Sequence, residues 1–158
     1  SEVLNLNEYW NGSSWTELGD LNHSVKTGGS AGTATAALSF AGITGPNTTT
    51  AQTESWNGSA WSEEADCNTA RRYPNNYSCG TSTSALLIGG DVPPATGKTE
   101  SWNGTSWTET GDMSVARTGS STACADNGSG LAGGNGPIVT TGEEFVAPTT
   151  NTVTFTAS

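Results

Sequence analysis

Charge is scarce in this chain of 158 residues: 13% are Asp, Glu, Lys or Arg, against the ~25% usual for globular domains. Lys and Arg number only five, against fifteen Asp and Glu, for a net charge of −10. With no basic stripe, binding of nucleic acid through its phosphates is excluded, and the acidic balance also disfavours anionic membranes. No apolar run approaches the ~20 residues of a membrane span, so no membrane insertion is expected. No signal peptide is visible, and a start at Ser1 without Met suggests a processed chain or part of a longer one. There is one His, His23, and no Gly-x-Ser-x-Gly, so Ser-His-Asp catalysis has no basis. Three Cys stand outside any CxxC or His-rich spacing, which leaves a zinc site unsupported. No metal and no cofactor are expected. No window shows a helical period.

What is present is repetition. Glu8 to Asp20, Glu54 to Asp66 and Glu100 to Asp112 align without gaps, and a decayed copy begins at Gly142 with Glu143, Glu144 and Phe145. Trp10, Trp56 and Trp102 lie 46 residues apart, as do Trp15, Trp61 and Trp107, so this motif uses all six Trp. Each Trp-Asn-Gly-x-x-Trp reads as a hairpin. Asn-Gly supplies a turn where positive φ is cheap, and the four-residue loop sets two Trp opposite each other on paired strands. Upstream of the later hairpins run short apolar strands: Ala37 to Gly42, Ala85 to Gly90 and Gly130 to Gly134. Stretches rich in Gly, Ser and Thr precede them. Four short strands per 46 residues is the signature of a propeller blade.

An apolar strand ending in Gly-Gly, followed by a strand with an aromatic and then a Trp, resembles the kelch repeat. Gly89-Gly90 with Trp102 and Trp107 matches best, and Gly133-Gly134 with Phe145 is a weaker copy. Arg71 and Arg117 sit where kelch repeats often carry a basic residue. The hairpin is shorter than the usual kelch loop, and its Trp-Asn-Gly-Thr-Ser-Trp form is similar to repeats in tail-associated proteins of marine bacteriophages. The resemblance implies an all-β chain of kelch-like β-propeller blades, each a four-stranded antiparallel sheet. Residues 1–20 make a half blade, 21–66 and 67–112 full blades, and 113–158 a divergent C-terminal blade ending in a strand at 152–157. Propellers close with ~4–8 blades, so these three and a half units imply partners: other copies of the chain, or the rest of a longer propeller. The implied function is a non-enzymatic structural or adhesive module of a virion, a phage tail or appendage, binding a host receptor or glycan. A secreted bacterial kelch-like lectin or adhesin is the alternative, and a fragment of a kelch-type oxidase or hydrolase a third. Copper oxidases of this architecture use two His, two Tyr and a Cys, which one His cannot supply. A surface of Ser, Thr, Asn and Gly fits a virion or an extracellular setting.

Several residues admit two readings. The repeated Trp are sugar-stacking platforms or, as their identical recurrence favours, hairpin staples. Glu54, Glu63, Glu100 and Glu109 form carboxylate pairs like those of glycosidases, yet every unit has them, and acid/base pairs break a repeat's symmetry. Asp20, Asp66 and Asp112 bind calcium or cap turns, and the turn reading is favoured. Cys79 and Cys124 occupy corresponding places in consecutive units, so a bridge is conceivable, but small buried residues are the favoured reading for them and Cys67. Recognition is expected where units differ. The connections 43–52, 91–98 and 135–142 carry Pro46, Pro93, Pro94 and Pro137. The most distinctive stretch holds Arg71, Arg72, Tyr73, Asn75, Asn76 and Tyr77, good recognition chemistry, with Asp91 beside it as a candidate ligand-binding residue.

Overall fold

The structure, a computed structural model, describes residues 4–73, 78–118, 121–133 and 142–147. Within them the chain is all-β, with four antiparallel sheets and no helix. The first sheet is the hairpin β1 (Glu8–Trp10) and β2 (Trp15–Glu17). The second runs in chain order through β3 (Gly29–Thr33), β4 (Ala36–Thr44), β5 (Thr48–Trp56) and β6 (Trp61–Glu63). The third does the same through β7 (Ser78–Thr81), β8 (Ser84–Ile88), β9 (Thr99–Trp102) and β10 (Trp107–Glu109). The fourth joins β11 (Ser121–Ala123), β12 (Ser129–Gly133) and β13 (Gly142–Val146). The strand expected at 152–157 and the residue Gly134 lie outside the described residues.

The Trp hairpin is built identically three times. Trp10 pairs with Trp15, Trp56 with Trp61 and Trp102 with Trp107, and their ring centroids lie 5.4, 5.5 and 5.3 Å apart. The turn between them is closed by an Asn carboxamide. Asn57 Oδ1 accepts the amides of Ser59 and Ala60 at 2.9 and 3.0 Å, and Asn11 and Asn103 repeat both bonds. The following glycine takes a φ of +97°, +94° and +93° at Gly12, Gly58 and Gly104 respectively, the left-handed region that explains Gly after Asn.

Alternation then packs the sheets face to face. Ala85, Leu86, Leu87 and Ile88 of β8 are all buried, because both faces of this strand are covered. Ala85 and Leu87 join Leu38, Phe40, Cys67, Trp102 and Trp107 in one core between the second and third sheets. Leu86 and Ile88 join Ala132 in another, with Met113 and Phe145 against it. Burying a large apolar side chain fully contributes about 1.5–3 kcal/mol, so among the described residues the third sheet, buried on both faces, is the best secured. Backbone links also cross between units: Gly42 N donates to Arg71 O at 2.8 Å, and Gly90 N to Arg117 O at 3.1 Å. A side chain at Gly90 would press on Arg71 Cδ and Arg72 O, both 3.2 Å away.

Two expectations are corrected here. The connection 43–52 is no free loop, since β4 and β5 extend through it and pair from Ala37↔Trp56 to Thr44↔Thr48, leaving only a short turn. Cys79 and Cys124 are not merely small buried residues but form a disulfide, their Cα atoms 5.4 Å apart. Cys79 lies on β7 and Cys124 directly after β11, which brings the first strands of two consecutive sheets within bonding reach. Cys67 is buried and free.

Candidate functional site

A carboxylate recurs at the heart of each unit, and its surroundings decide what it can do. Glu100 is fully buried. Its Oε2 accepts the Asn68 amide at 2.6 Å and Asn68 Nδ2 at 2.9 Å; its Oε1 accepts the Thr69 amide at 3.2 Å and forms an ion pair with Arg71. Asn68 Nδ2 also donates to Trp107 O at 3.1 Å. Glu54 repeats the pattern, with the Asn22 amide at 2.8 Å and the His23 amide at 2.9 Å. Glu143 repeats it again, with the Ser114 and Val115 amides at 2.6 and 3.3 Å and Arg117 Nη2 at 3.2 Å. Hydrogen bonds from Ser114, joined by Arg117, hold the Glu143 carboxyl below the usual carboxylate range. A carboxylate whose oxygens are already taken by fixed donors is a latch that closes the loop entering each unit.

The side chain facing this latch differs between units. Arg71 and Arg117 serve the later two, and Val25 holds the corresponding position in the first. There His23 takes over, its Nδ1 lying 3.2 Å from Glu54 and 2.9 Å from Glu63. Asp112 does not cap a local turn; its Oδ1 accepts the Thr99 amide of β9 at 3.1 Å.

The distinctive stretch after Cys67 divides. Arg71 is turned inward and fully buried, with its guanidinium on Gly89 O at 3.0 Å, Lys98 O at 2.8 Å and Glu100. Its donors are consumed inside the fold, which corrects the expectation that this residue meets a ligand. Arg72 and Asp91 are brought together instead. Their main chains exchange hydrogen bonds of 3.0 and 2.8 Å, and Arg72 Nε donates to Asp91 Oδ2 at 2.7 Å. The Arg72 guanidinium stands 5.5 Å from the centre of the Tyr73 ring, and Tyr73 is exposed, at a φ of +55°. Asn75, Asn76 and Tyr77 lie outside the described residues. The described part of the patch thus offers an exposed aromatic ring beside an ion-paired arginine, a surface suited to stacking and hydrogen bonding.

The remaining thiol is poorly placed for chemistry. Burial pushes Cys67 up to about 12, partly offset by its contact with Thr53. A thiol so rarely ionised is inert. In the native chain Cys67 is expected to resist iodoacetamide at mildly alkaline pH and to react fully after unfolding, as read by intact mass. Rapid labelling of the folded chain would show that the interior opens there.

Among the described residues no group of three or more His, Cys, Asp or Glu is arranged to hold a metal ion, and no helix is long and apolar enough to cross a membrane. Neither a scan of protein-family models nor a search of curated proteins finds a match to the chain.

Proposed function

We propose that this chain is part of a kelch-like β-propeller serving as a non-enzymatic structural or adhesive module of a virion, in a phage tail or appendage, or otherwise outside the cell. The observation that carries the reading is the fate of the repeated polar residues. Glu54, Glu100 and Glu143 each spend their oxygens on the loop entering their own unit, as expected of a scaffold in which every unit solves the same packing problem. Consecutive meanders packed face to face, with β3 beside β7 and β7 beside β11, support a blade arrangement with the first strands gathered on one side. The Cys79–Cys124 bond favours an oxidising setting.

Adhesion, in this reading, belongs to the side where the units differ. Tyr73, Arg72 and Asp91 form the receptor-facing patch, and a glycan or a protein surface is the ligand class, since an exposed Tyr beside a braced Arg suits both. A glycan array with the intact chain tests it. Binding that is lost on Tyr73→Ala, with unchanged melting, is the expected result. Binding that survives this substitution would move recognition elsewhere, and absence of the chain from purified particles and culture medium would sink the extracellular reading. A secreted lectin or adhesin is the second reading; the disulfide favours it equally, and fractionating particles from medium separates the two.

A further inference from the structure

The three Trp pairs are alike in geometry but not in surroundings. Trp102 and Trp107 are 1% and 6% exposed, whereas Trp10 and Trp15 are 46% and 64% exposed. The first two are covered because the second sheet turns Leu38 and Phe40 toward them. Phe40 meets Trp107 edge-on with centroids 4.9 Å apart, and Trp107 Nε1 donates to Thr53 Oγ1 at 3.0 Å. The chain therefore shows what a Trp face of this kind accepts: the onward face of a sheet whose second strand carries an apolar residue at the Leu38 position.

Among the described residues there is an uncovered face of that description. In the second, third and fourth sheets the latch glutamate marks the register, with Ser39 opposite Glu54, Leu87 opposite Glu100 and Ala132 opposite Glu143. Leu131, one residue before Ala132, therefore corresponds to Leu38, and it is 55% exposed. Val146 on β13 is also exposed. Where Phe40 and Thr53 stand in the second sheet, the fourth has Gly133 and Gly142, so no side chain fills that floor. Beside Leu131 lies a shallow groove of about 250 Å³ lined by Ala123, Ser129 and Glu144. Two exposed indoles at one end thus match a bare apolar floor at the other, and the Glu144 carboxylate is an acceptor for an indole N–H.

We infer that two copies of this chain associate head to tail, with Trp10 and Trp15 of one seated on the Leu131 groove of the other. The contact is heterologous, so each copy uses one end and leaves the other for a further copy, closing into a ring if the rotation allows. Both chains are acidic, so association strengthens as salt screens their repulsion. The inference rests on the stacking of units in the proposed function and not on the Tyr73 patch; failed glycan binding leaves it intact, and failed association leaves the patch intact.

Light scattering with the full chain and two surface variants is the test. The wild type is expected to give a mass above the monomer at micromolar concentration, rising with salt. Trp15→Ser and Leu131→Asp alone are each expected to run as folded monomers, with association weakened about thirty-fold or more, as for loss of a central aromatic anchor. An equimolar mixture still holds one intact face of each kind, and is expected to restore a 1:1 pair that grows no further. Circular dichroism checks folding, and Val146→Asp, on the strand beside that groove, probes the same sheet should Leu131→Asp unfold. A monomeric wild type, a variant that associates as before, or a mixture that stays monomeric would each overturn the inference.

Discussion

Arg71→Met is expected to destabilise the chain by about 3–5 kcal/mol, the usual cost of removing one partner from a buried ion pair. Arg71 and Glu100 are both without solvent exposure. Methionine preserves most of the volume but leaves the Glu100 carboxylate with only the Asn68 and Thr69 donors, and it takes the guanidinium from the Gly89 carbonyl, while the Lys98 carbonyl keeps the Gly89 amide. An uncompensated buried charge costs more than the pair contributes when whole, so Glu100→Gln added to Arg71→Met is expected to recover a large part of the loss. The first unit is the natural comparison. There the chain places Val25 at the arginine position, and the His23 ring nitrogen faces Glu54 instead. Urea denaturation reads the effect as a lower midpoint at unchanged slope. For a domain worth about 5–15 kcal/mol in all, such a loss is large. An Arg71→Met chain within about 0.5 kcal/mol of wild type, the range of ordinary surface changes, would show that the pair is dispensable.

The parts of this fold legible in the sequence are those set by local chemistry. Trp-Asn-Gly-x-x-Trp carries its own turn, register and ring pairing, and all three copies obey it. The apolar runs at Leu38, Leu86 and Leu131 mark the strands that fill the interior, because period two and short length leave little else for them to be. What escaped is set by the meeting of distant units. Glu54 and Glu100 resemble catalytic carboxylates until the Asn at 22 and 68, recurring at the same spacing as the Glu, is seen to be their partner. That shared spacing was the available signal. Arg71 reads as surface chemistry in the sequence because its neighbours Arg72 and Tyr73 are polar and its stretch is unlike the other units; in the fold it is buried while Tyr73 is exposed. The unequal exposure of Trp15 and Trp107 is invisible in the motif, since it depends on which sheet faces which.

The spacing of Cys79 and Cys124 marks a bridge as conceivable without deciding for it, and the disulfide carries the last expected result. Cys79 and Cys124 are separated by 45 residues, and closing a loop of that length restricts the unfolded chain by about 4 kcal/mol in the chain-entropy account. Cys79→Ser with Cys124→Ser, or reduction of the wild type, is expected to lower stability by that order. The loss should fall unevenly. The second and third sheets keep the core around Phe40, Leu87, Trp102 and Trp107, whereas the fourth is held mainly by Leu86, Ile88 and Ala132 with Phe145 beside them. Its strands are short and its apolar area small, so the covalent tie is a large share of what docks it. Hydrogen exchange on the reduced chain should therefore show amides of β11 to β13 losing protection well before those of β8 and β9, as expected for a unit that opens on its own. Equal melting of reduced and oxidised chains, with protection of the fourth sheet unchanged, would mean that side-chain packing alone secures it. The expected outcome ties stability to compartment: a reducing cytosol removes the tie and an oxidising one keeps it. A chain that depends on the bond to hold its fourth sheet would keep the exposed Leu131 face in place only where the bond survives, so head-to-tail association and redox state should rise and fall together.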